Sequence, residues 1–532
     1  MAETTHTREE LVYAPAIVIL ADDLYPRKLE IVREYIQNAS DALDAFSRIA
    51  SHIGDDTKPQ IKISVQGKSL LIFDNGIGMD VEDVSKLKRI AYSEKREGQE
   101  AGYKGIGRLA GIAVANKLMM SSTCYGDPKL HKFEFRAGDL HQDIADNRKK
   151  GVQEPASTVI NRHTSITTLD TDPTDHFTIV ELRDIDDRHA DLLDPIVLRR
   201  FIGDIGPVGF APDFFWGNRI SDRLYQHVPD YSPKSIWLSN NEGDRSEIYK
   251  PYNDLMRLAE PEFYEIPDPH DGNRLLAYCW TTTRGQDMLG KVRPTGKRFT
   301  IDGKGDDKKS LAGPVYKLFG FSVGDRSLPL RTLWRKDYTR ALWFTGEIHI
   351  VDKEIKPTTD RSNFVENAAR SALYLAGRER VAKRLDLRAQ VISDDRKAWE
   401  KAEEYRAKFQ NLRSRLDKGD VERAELKAIR AELHQAEKEL SRTCKDHEVL
   451  DDIRNVNRER RDLLSRLDAS IGQKNKTSEI NDLAREVEMT TQSRKLYTII
   501  MEVLENHFGK DLDTYYELSG EIKNAIRKRF SH

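Results

Sequence analysis

Residues 27–46 read RKLEIVREYIQNASDALDAF, and their pattern predicts an amphipathic helix. Glu34, Asn38 and Asp41 stand at i, i+4 and i+7, so they form a polar stripe along it. A carboxylate and an amide one turn apart can serve as a water-activating base and as an oxygen ligand for a hard cation. Considered alone, the helix is better explained as a surface helix with ordinary polar residues. Its apolar face is formed by Leu29, Val32, Ile36, Ala39 and Leu43.

A β-hairpin and a glycine loop follow this helix. Residues 61–73 alternate as two strands do, and residues 66–68 predict the tight turn between them. Glycines directly after a strand let the backbone turn sharply and approach a ligand closely. Asp74, at the strand exit, can accept a hydrogen bond from an exocyclic amine such as that of adenine, although DNGIGM (74–79) is also an acceptable turn. The loop residues of interest are Gly76, Gly78 and Met79.

A second glycine loop, within residues 101–115, leads into an apolar segment that predicts a helix. Backbone N–H groups and the helix dipole converge at such a loop, which makes it a site for an anion such as phosphate. The pattern fails the test for a dinucleotide-binding fold, because a polar segment rather than a buried strand precedes it. The candidate residues are Gly102, Lys104, Gly105, Gly107 and Arg108.

The other N-terminal residues predict more β-structure. Residues 131–138 and 166–171 have the composition of strands, and residues 177–185 alternate clearly between apolar and polar side chains. Thr178 lies on the last of these strands. Helices therefore alternate with antiparallel strands up to about residue 190, which predicts an α+β sandwich with helices on one sheet.

The three motifs, in this order and spacing, resemble those of a known family. E-x-x-x-N-A-S-D-A (34–42), D-x-G-I-G-M (74–79) and G-x-x-G-I-G (102–107) are similar to the nucleotide motifs of the GHKL ATPases. That superfamily includes gyrase B, the ninety-kilodalton heat-shock chaperones, histidine kinases and the MutL repair proteins. Residues 34–42, together with IAYS (90–93), look most like the chaperones. The resemblance implies a Bergerat-type ATP-binding α/β sandwich that uses ATP and Mg²⁺.

The resemblance implies roles for the matching positions. Glu34 resembles the base that orients the attacking water, Asn38 resembles the Mg²⁺ ligand, and Asp41 can support the ribose or the Mg²⁺ shell. Asp74 resembles the carboxylate that recognises adenine, and Thr178 a threonine that helps to hold it. A glutamate at position 34 favours hydrolysis, because histidine kinases lack a hydrolytic base used in this way. The wall around the base corresponds to Gly76, Gly78 and Met79, and the phosphate cradle of the ATP lid to Gly102, Gly105 and Gly107.

The resemblance extends into a middle region. Residues 194–210 predict a helix and a turn, like a connector, and residues 275–366 predict an α+β, transducer-like unit. Residues 354–366, EIKPTTDRSNFVE, resemble the chaperones' middle-domain loop, from which an arginine reaches the γ-phosphate. Arg361 is that candidate, although its spacing from Pro357 is one residue short of the family pattern, and an ordinary surface arginine is the alternative. An arginine in that position would let ATP pull two domains together.

A basic stretch lies inside the middle region, at residues 290–309. Its interleaved glycines predict a loop that could contact nucleic-acid phosphates, or one that is simply solvated. Stacking on bases is poorly supported, because Phe299 is its only aromatic residue. Its cationic residues are Lys291, Arg293, Lys297, Arg298, Lys304, Lys308 and Lys309.

From about residue 380 the chain predicts helices only, because charge rises and glycine and proline almost vanish. Two heptad-like seams around residues 418–420 predict an antiparallel coiled-coil hairpin. This hairpin is either a solvated spacer or an arm for a dimer or partner. Residues 494–508 are densely apolar and should bury against another surface, such as a second subunit. This tail does not resemble the chaperones' own dimerisation domain.

Length and composition set limits on the whole chain. A chain of 532 residues predicts three or four domains. A formal net charge of −2 indicates neither nucleic-acid binding nor membrane binding. The three scattered cysteines form neither a zinc spacing nor a disulfide framework, and no transmembrane segment is expected, so the location predicted is the cytoplasm. The expected domains are 1–190 for ATP binding, 191–380 for the middle domain, 381–470 for the hairpin and 471–532 for a C-terminal helical segment with a role in dimerisation.

The function predicted is Mg²⁺-dependent ATP hydrolysis coupled to lid closure and to formation of a homodimer. A chaperone-like machine that remodels protein clients is one interpretation. A DNA-engaging clamp like the MutL or microrchidia ATPases, in bacterial antiphage defence, is the alternative. A structural or signalling dimer that uses ATP as a switch is the third, since function lies in sites rather than in folds.

Overall fold

The chain divides into two compact units, Met1–Ala389 and Gln390–His532. The α+β class expected for the N-terminal part and the helical C-terminal region are both confirmed. The computed structural model describes residues 13–15, 27–88, 107–288, 291–294, 311–334, 338–419, 421, 423–441, 444–487, 489–508 and 512–530.

The first sheet is built from eight described strands. They are β1 (Ile61–Gln66), β2 (Ser69–Asp74), β3 (Ala115–Thr123), β4 (Lys129–Arg136), β5 (Thr164–Asp170), β6 (Phe177–Ile185), β7 (Ile236–Ser239) and β8 (Arg245–Glu247). Their order across the sheet is β5-β4-β3-β6-β2-β1-β7-β8. The predicted hairpin is confirmed as β1 and β2, which pair antiparallel with Ile61 opposite Asp74.

Helices cover the apolar face of this sheet. The predicted helix is confirmed as α1 (Glu30–Ile53), and it ends at Gly54, whose φ of 70° is the left-handed conformation that favours glycine at a helix C-terminus. Its apolar stripe is buried in the same core as the inward side chains of β1 and β2. The other helices of this region are α2 (Val81–Lys86), α3 (Ala137–Lys150), α4 (Ala156–His163) and α5 (Pro195–Ile205), with 3-10 turns at Gly107–Ala113 and Asp187–Leu193.

The segment after the second glycine loop differs from its prediction. An apolar helix was expected over residues 109–115, whereas the structure has a 3-10 helix, Gly107–Ala113, followed by β3. The Gly111 N–H donates to the Tyr35 hydroxyl at 2.8 Å, and the Val114 N–H donates to the Gly111 carbonyl. One of these hydrogen bonds joins the main chain to α1, and the other closes a tight turn. These bonds take the place of the hydrogen bonds of an α-helix.

Two strands beyond residue 190 belong to the first sheet. β7 pairs parallel with β1, with Ile236 opposite Ile61, and β8 pairs with β7. The chain reaches them through α5 and α6 (Gly217–His227). The sheet therefore extends past residue 190, where the sequence placed a domain boundary. The division into four domains stays a prediction.

The second sheet has the strand order β14-β13-β15-β10-β9, so β9 is an edge strand. β13 and β15 pair parallel, and the other neighbours pair antiparallel. Its strands are β9 (Glu262–Pro267), β10 (Leu275–Thr283), β13 (Gly313–Leu318), β14 (Phe321–Val323) and β15 (Phe344–Ile350). A separate ribbon is formed by β11 (Gly285–Met288) and β12 (Lys291–Pro294). Nearby helical segments are Asp254–Met256, α7 (Ser327–Leu333), Ala341–Trp343, α8 (Ala368–Gly377) and the π turn Arg378–Ala382.

A buried group of charges lies within the second sheet, around Glu347 on β15. The Lys250 ammonium is 2.7 Å from Glu347 Oε1, and His349 Nε2 is 3.0 Å from Glu347 Oε2. The Trp280 indole N–H also donates to this carboxylate. Burial alone would raise the pKa of Glu347, but the Lys250 charge and the His349 contact outweigh it and hold the pKa well below its usual range.

The same group of charges joins helix α5 to the second sheet. The buried Lys317 ammonium on β13 donates to the Asp204 carbonyl at 2.7 Å, and the Ser322 hydroxyl donates to the same oxygen. Asp204 lies in the last turn of α5, where carbonyls lack partners within the helix and favour a cation. Burial and the nearby Lys250 charge lower the pKa of Lys317 to about 7.

The second unit is helical, as predicted. α9 (Lys383–Asp417) begins in the first unit, and it turns at Gly419 into α10 (Arg423–Leu440). This is the predicted hairpin, and α11 (His447–Glu486) adds a third helix to the same apolar core. Residues 450–456, whose apolar spacing could extend the second arm of the hairpin, instead belong to α11. α12 (Thr491–Phe508) and α13 (Leu512–Phe530) complete this unit.

The apolar side of α12 is largely exposed in the part of the chain that the structure describes. Leu496, Ile499 and Val503 are each more than half exposed. A second subunit as the partner of this face stays a prediction. Among the described residues, no helix is long and apolar enough to cross a membrane.

We expect Glu347→Gln to lower the free energy of unfolding by about 3 kcal/mol, because it leaves the buried Lys250 ammonium without its counter-charge. Urea unfolding followed by tryptophan fluorescence measures this loss. The matched control is Glu354→Gln, whose ion pair with Arg274 is largely exposed and should contribute less than about 1 kcal/mol. Equal losses in the two variants would contradict the prediction.

Candidate functional site

The polar stripe of α1 lies along the rim of the helix rather than in its core. Glu34, Asn38 and Asp41 are all half-buried, whereas Tyr35, Ile36 and their apolar neighbours are fully buried. The helical period explains this split, since residues three, four and seven apart share one side. The three predicted polar side chains are therefore brought together on a surface that a ligand could reach.

The first and third motifs meet at Glu34. A Cβ atom on Gly107 would lie 2.4 Å from Glu34 Oε2, so a side chain there would displace this carboxylate. On the other side, Arg33 Nη2 is 3.8 Å from Glu34 Oε1, and Arg33 also pairs with Glu30 at 2.6 Å. The carboxylate is thus held between a glycine backbone and a buried guanidinium group.

The second motif packs against the same helix. The Ile77 N–H donates to the Ala42 carbonyl of α1 at 3.0 Å, and a Cβ atom on Gly76 would lie 2.6 Å from Ala42. Asp74 is buried at the end of β2, and its Oδ1 accepts a 2.9 Å hydrogen bond from the Gly76 N–H. Burial raises the pKa of Asp74 to about 7, against the opposing effect of that hydrogen bond.

The rest of the second motif is fixed by β3 and β6. Gly78 has a φ of +72°, and a Cβ atom there would lie 1.8 Å from the Thr123 carbonyl, so a side chain is excluded. The next residue, Met79, donates its N–H to Ser122 Oγ at 2.9 Å. Thr178 Oγ1 is 2.9 Å from the same hydroxyl. Thr178 also stands opposite Asp74 in the pairing of β6 with β2, as its predicted role requires.

Ser122 was not identified from the sequence, although it links three parts of this site. Its single proton can be donated to the Phe177 carbonyl at 2.8 Å, which leaves its oxygen to accept from the Met79 N–H and from Thr178. His176 was also missed. Its Nδ1 contacts the Gly76 carbonyl at 2.8 Å, and its ring stacks on Phe46 of α1. No local pattern marks either residue, because their partners are distant in sequence.

The loop that carries Arg361 approaches α1. Arg33 Nη2 donates to the Asp360 carbonyl at 3.4 Å, so one guanidinium group lies near both Glu34 and this loop. Arg361 itself is buried, with a φ of 56°, and its carbonyl accepts from the Gly324 N–H at 2.7 Å. The alternative of an ordinary surface arginine is therefore wrong, because the Arg361 side chain is buried. A role at the γ-phosphate stays a prediction.

Several predicted residues lie outside the described residues. Gly102, Lys104 and Gly105 of the third motif belong to this group, and only Gly107 of its glycines is described. Most of the basic stretch is also outside, apart from the backbone of β12. Of residues 14–20, whose apolar composition predicts a strand, only Ala14 and Pro15 are described, and the Ala14 N–H donates to the Glu154 carbonyl.

The described residues of the three motifs offer groups that suit a nucleotide. The buried Asp74 carboxylate offers an acceptor and Asn38 offers an amide oxygen one turn from Glu34, while the space beside Gly76 and Gly78 is filled by Ala42 and by the Thr123 carbonyl. Within the described ranges, no group of three or more His, Cys, Asp or Glu side chains could hold a metal ion. A magnesium ion needs few protein ligands when phosphates supply the others, so this set fits a metal brought in with a nucleotide.

Known proteins share this domain. Residues 28–171 match the family described as histidine kinase-, DNA gyrase B-, and HSP90-like ATPase. The "Chaperone protein HtpG" of Campylobacter jejuni (strain 81-176) is 30% identical to this chain over 154 residues, which is 25% of each chain. The proteins of the same name from Rickettsia canadensis and Borreliella burgdorferi are 28% and 31% identical, over 27% and 20% of this chain and 26% and 20% of their own lengths.

These matches confirm the resemblance of the N-terminal residues to the GHKL ATPases and to the HSP90-like group among them. The chain spans about a quarter of the length of the curated relatives that it matches. The matched residues are therefore similar to an HSP90-like ATPase domain. These matches do not extend over the rest of the chain.

Asp74 should make stability depend on pH in the absence of nucleotide. Its folded pKa of about 7 lies above the usual value of about 3.9, so the folded state binds the extra proton between these values and loses stability as pH rises. We expect Asp74→Asn to gain stability relative to the natural protein from pH 5 to pH 7, by about 1 kcal/mol per unit, and to gain no more above pH 7.

Urea unfolding at pH 5, 6, 7 and 8 measures this difference. The exposed Asp191 provides a control, since Asp191→Asn should show a difference that does not change over this range. A constant difference for Asp74→Asn would mean that the carboxyl group is ionised in the folded protein throughout.

Proposed function

We propose that this protein binds ATP with Mg²⁺ through its N-terminal domain and hydrolyses it. The single observation that carries this proposal is the packing of Gly107 against the Glu34 carboxylate, because it joins a candidate base to the loop expected to bind phosphate. The likeness of residues 28–171 to HSP90-like ATPases supports the same assignment.

Each of the site residues has a defined role in this proposal. Asp74 accepts a hydrogen bond from the adenine amine, with Thr178 and Ser122 fixing the strand ends around it. Asn38 offers its oxygen to Mg²⁺, and the bound metal supplies charge neutralisation at the phosphates. Glu34 orients water for attack at the γ-phosphorus, and Arg33 holds the Glu34 carboxylate in place. Positioning and charge neutralisation are what phosphoryl transfer chiefly requires.

The Arg361 loop provides the coupling between nucleotide and conformation. The contact of Arg33 with the Asp360 carbonyl brings that loop to the helix that bears Glu34. Arg361 then reaches the γ-phosphate when ATP is bound, and closure of residues 92–107 over the nucleotide accompanies this step. Loss of the γ-phosphate removes the attraction and releases the loop.

A cytoplasmic homodimer that remodels protein clients is the biological form we propose. Support comes from the name "Chaperone protein HtpG" that the relatives carry. The exposed apolar side of α12 is the candidate dimer surface, since large apolar patches on proteins commonly mark interaction sites.

Glu34→Ala should bind ATP with near-natural affinity but lose hydrolysis, by about 100-fold or more, because the water is no longer oriented. Asp74→Asn should instead lose ATP binding, which calorimetry measures. Steady-state phosphate release gives the rates of ATP hydrolysis. Comparison of the purified variants excludes hydrolysis by a contaminating enzyme. Near-natural turnover in Glu34→Ala would end the assignment of hydrolysis to this site.

The ATPase rate with and without double-stranded DNA separates the two biological interpretations. We expect DNA to change the rate by less than about twofold, and an unfolded client protein to raise it and to remain soluble. Salt-dependent retention of DNA together with strong stimulation of the rate would instead favour a DNA clamp. The Glu34→Ala variant serves as the control for turnover at other sites.

A further inference from the structure

A second concave site lies in the middle region, away from the residues described above. It is an open cavity of about 670 Å³ around the edge strand β9. This volume is within the range of ligand-binding sites in proteins. It is lined by residues of α6, β9, β10, the π turn and the start of α9: Arg223, His227, Pro261, Glu262, Phe263, Tyr264, Glu265, Tyr278, Arg380 and Arg384.

The cavity follows the free edge of β9. Four consecutive residues, 262–265, line it, although successive side chains of a strand point to opposite faces of the sheet. All four can border one cavity only if it runs along the edge of the strand and opens to both faces. In the described part of the chain, no strand pairs with this edge. Its outer N–H and C=O groups therefore have no strand partner among the described residues.

Arginines stand on both sides of this edge. Arg223, on α6, contacts the ring of Phe263, and Arg384, on α9, contacts the ring of Tyr264, which belongs to the opposite face. Arg380 lies with Arg384, one turn earlier. Among the described residues, these three guanidinium groups make no hydrogen bond or ion pair, and all three side chains are exposed.

The acidic residues of the cavity are already engaged. Glu262 pairs with Arg388 at 2.9 Å and accepts from the Tyr264 hydroxyl at 2.5 Å. Glu265 Oε1 is 3.6 Å from His227 Nδ1, an ion pair when that ring is protonated. The positive charge of the three arginines is thus left over, and a ligand for this cavity should be anionic.

The aromatic rings offer little surface for stacking. His227 lies 4.4 Å from Tyr278 with the two rings nearly parallel, and cations cover Phe263 and Tyr264. A single-stranded nucleic acid would need open ring faces for its bases. What remains accessible is the strand edge and the guanidinium groups, which suit the main chain and the carboxylates of a peptide.

We propose that this cavity binds an extended acidic peptide segment of a partner protein, which adds to the second sheet as a strand beside β9. Addition of a strand to a sheet edge is an established mode of peptide recognition. Successive side chains of such a strand point to opposite faces of the sheet. Acidic side chains on one face therefore reach Arg223, and those on the other face reach Arg380 and Arg384. β9 has six residues, so the bound core is a segment of similar length. The site does not depend on the ATPase assignment.

The probe is a fluorescein-labelled ten-residue peptide with aspartate and glutamate on both faces of the extended chain and valine between them. Fluorescence polarisation without nucleotide measures its affinity for the full chain. Arg223→Ala, Arg380→Ala and Arg384→Ala should each weaken binding about fivefold, the upper range for exposed ion pairs. The matched control Arg148→Ala removes an exposed arginine from α3 and should leave the affinity unchanged.

A second peptide tests the strand itself. The same sequence with every main-chain nitrogen methylated keeps its charge but lacks N–H donors on both of its edges, and it should bind at least tenfold more weakly. Affinity that is equal for the methylated peptide, or unchanged in the arginine variants, would overturn the proposal, as would absence of binding. Tighter binding of a single-stranded DNA oligonucleotide of equal charge, lost in the same variants, would assign the cavity to nucleic acid instead.

The ATP site is tested separately. Asp74→Asn, which should lose ATP, is expected to bind the acidic peptide as the natural protein does. A failure of peptide binding in the natural protein would leave the ATPase proposal intact, and normal peptide binding with no ATP affinity would contradict the ATPase proposal alone. Circular dichroism of each arginine variant checks that it is folded.

Discussion

Close packing of glycine backbones against one helix is the constraint on which this structure depends. Gly76 lies against the Ala42 backbone at a separation that a Cβ atom could not tolerate, and a Cβ atom on Gly107 would displace the Glu34 carboxylate. Two loops from different parts of the chain therefore converge on α1, and they do so only because glycine has no side chain. This convergence places the two glycine loops next to the polar stripe of the helix. A carboxylate, an amide and a buried aspartate come to border one surface.

The middle region is organised by a different interaction, the burial of charge. Glu347 is surrounded by Lys250 and His349, and Lys317 donates to the last turn of α5 at the Asp204 carbonyl. Buried charges tolerate little change in geometry, since loss of one partner leaves the other without compensation. The sheet that carries the Arg361 loop is thus tied firmly to the connecting helix, as the proposed coupling between nucleotide and conformation requires.

The two candidate sites use opposite arrangements of charge. At the N-terminal site the carboxylates are held at defined positions, one of them buried with a raised pKa, so the proposed nucleotide would need a metal to balance its charge. Around β9 the arginines are exposed and without carboxylate partners among the described residues, so the ligand itself supplies the negative charge. The two proposals thus place a nucleotide and a partner segment at separate sites on one chain.

The sequence by itself determined the local elements: helical spacing placed Glu34 and Asn38 on one side of a helix, and alternation defined the first hairpin. Resemblance added the nucleotide motifs. Only the tertiary structure decided the contacts between distant residues, such as that of Arg33 with Asp360, which lie 327 positions apart, and the role of Ser122 between two strands. Periodicity reports which face of an element is buried, but it carries no information about which distant residue lies opposite.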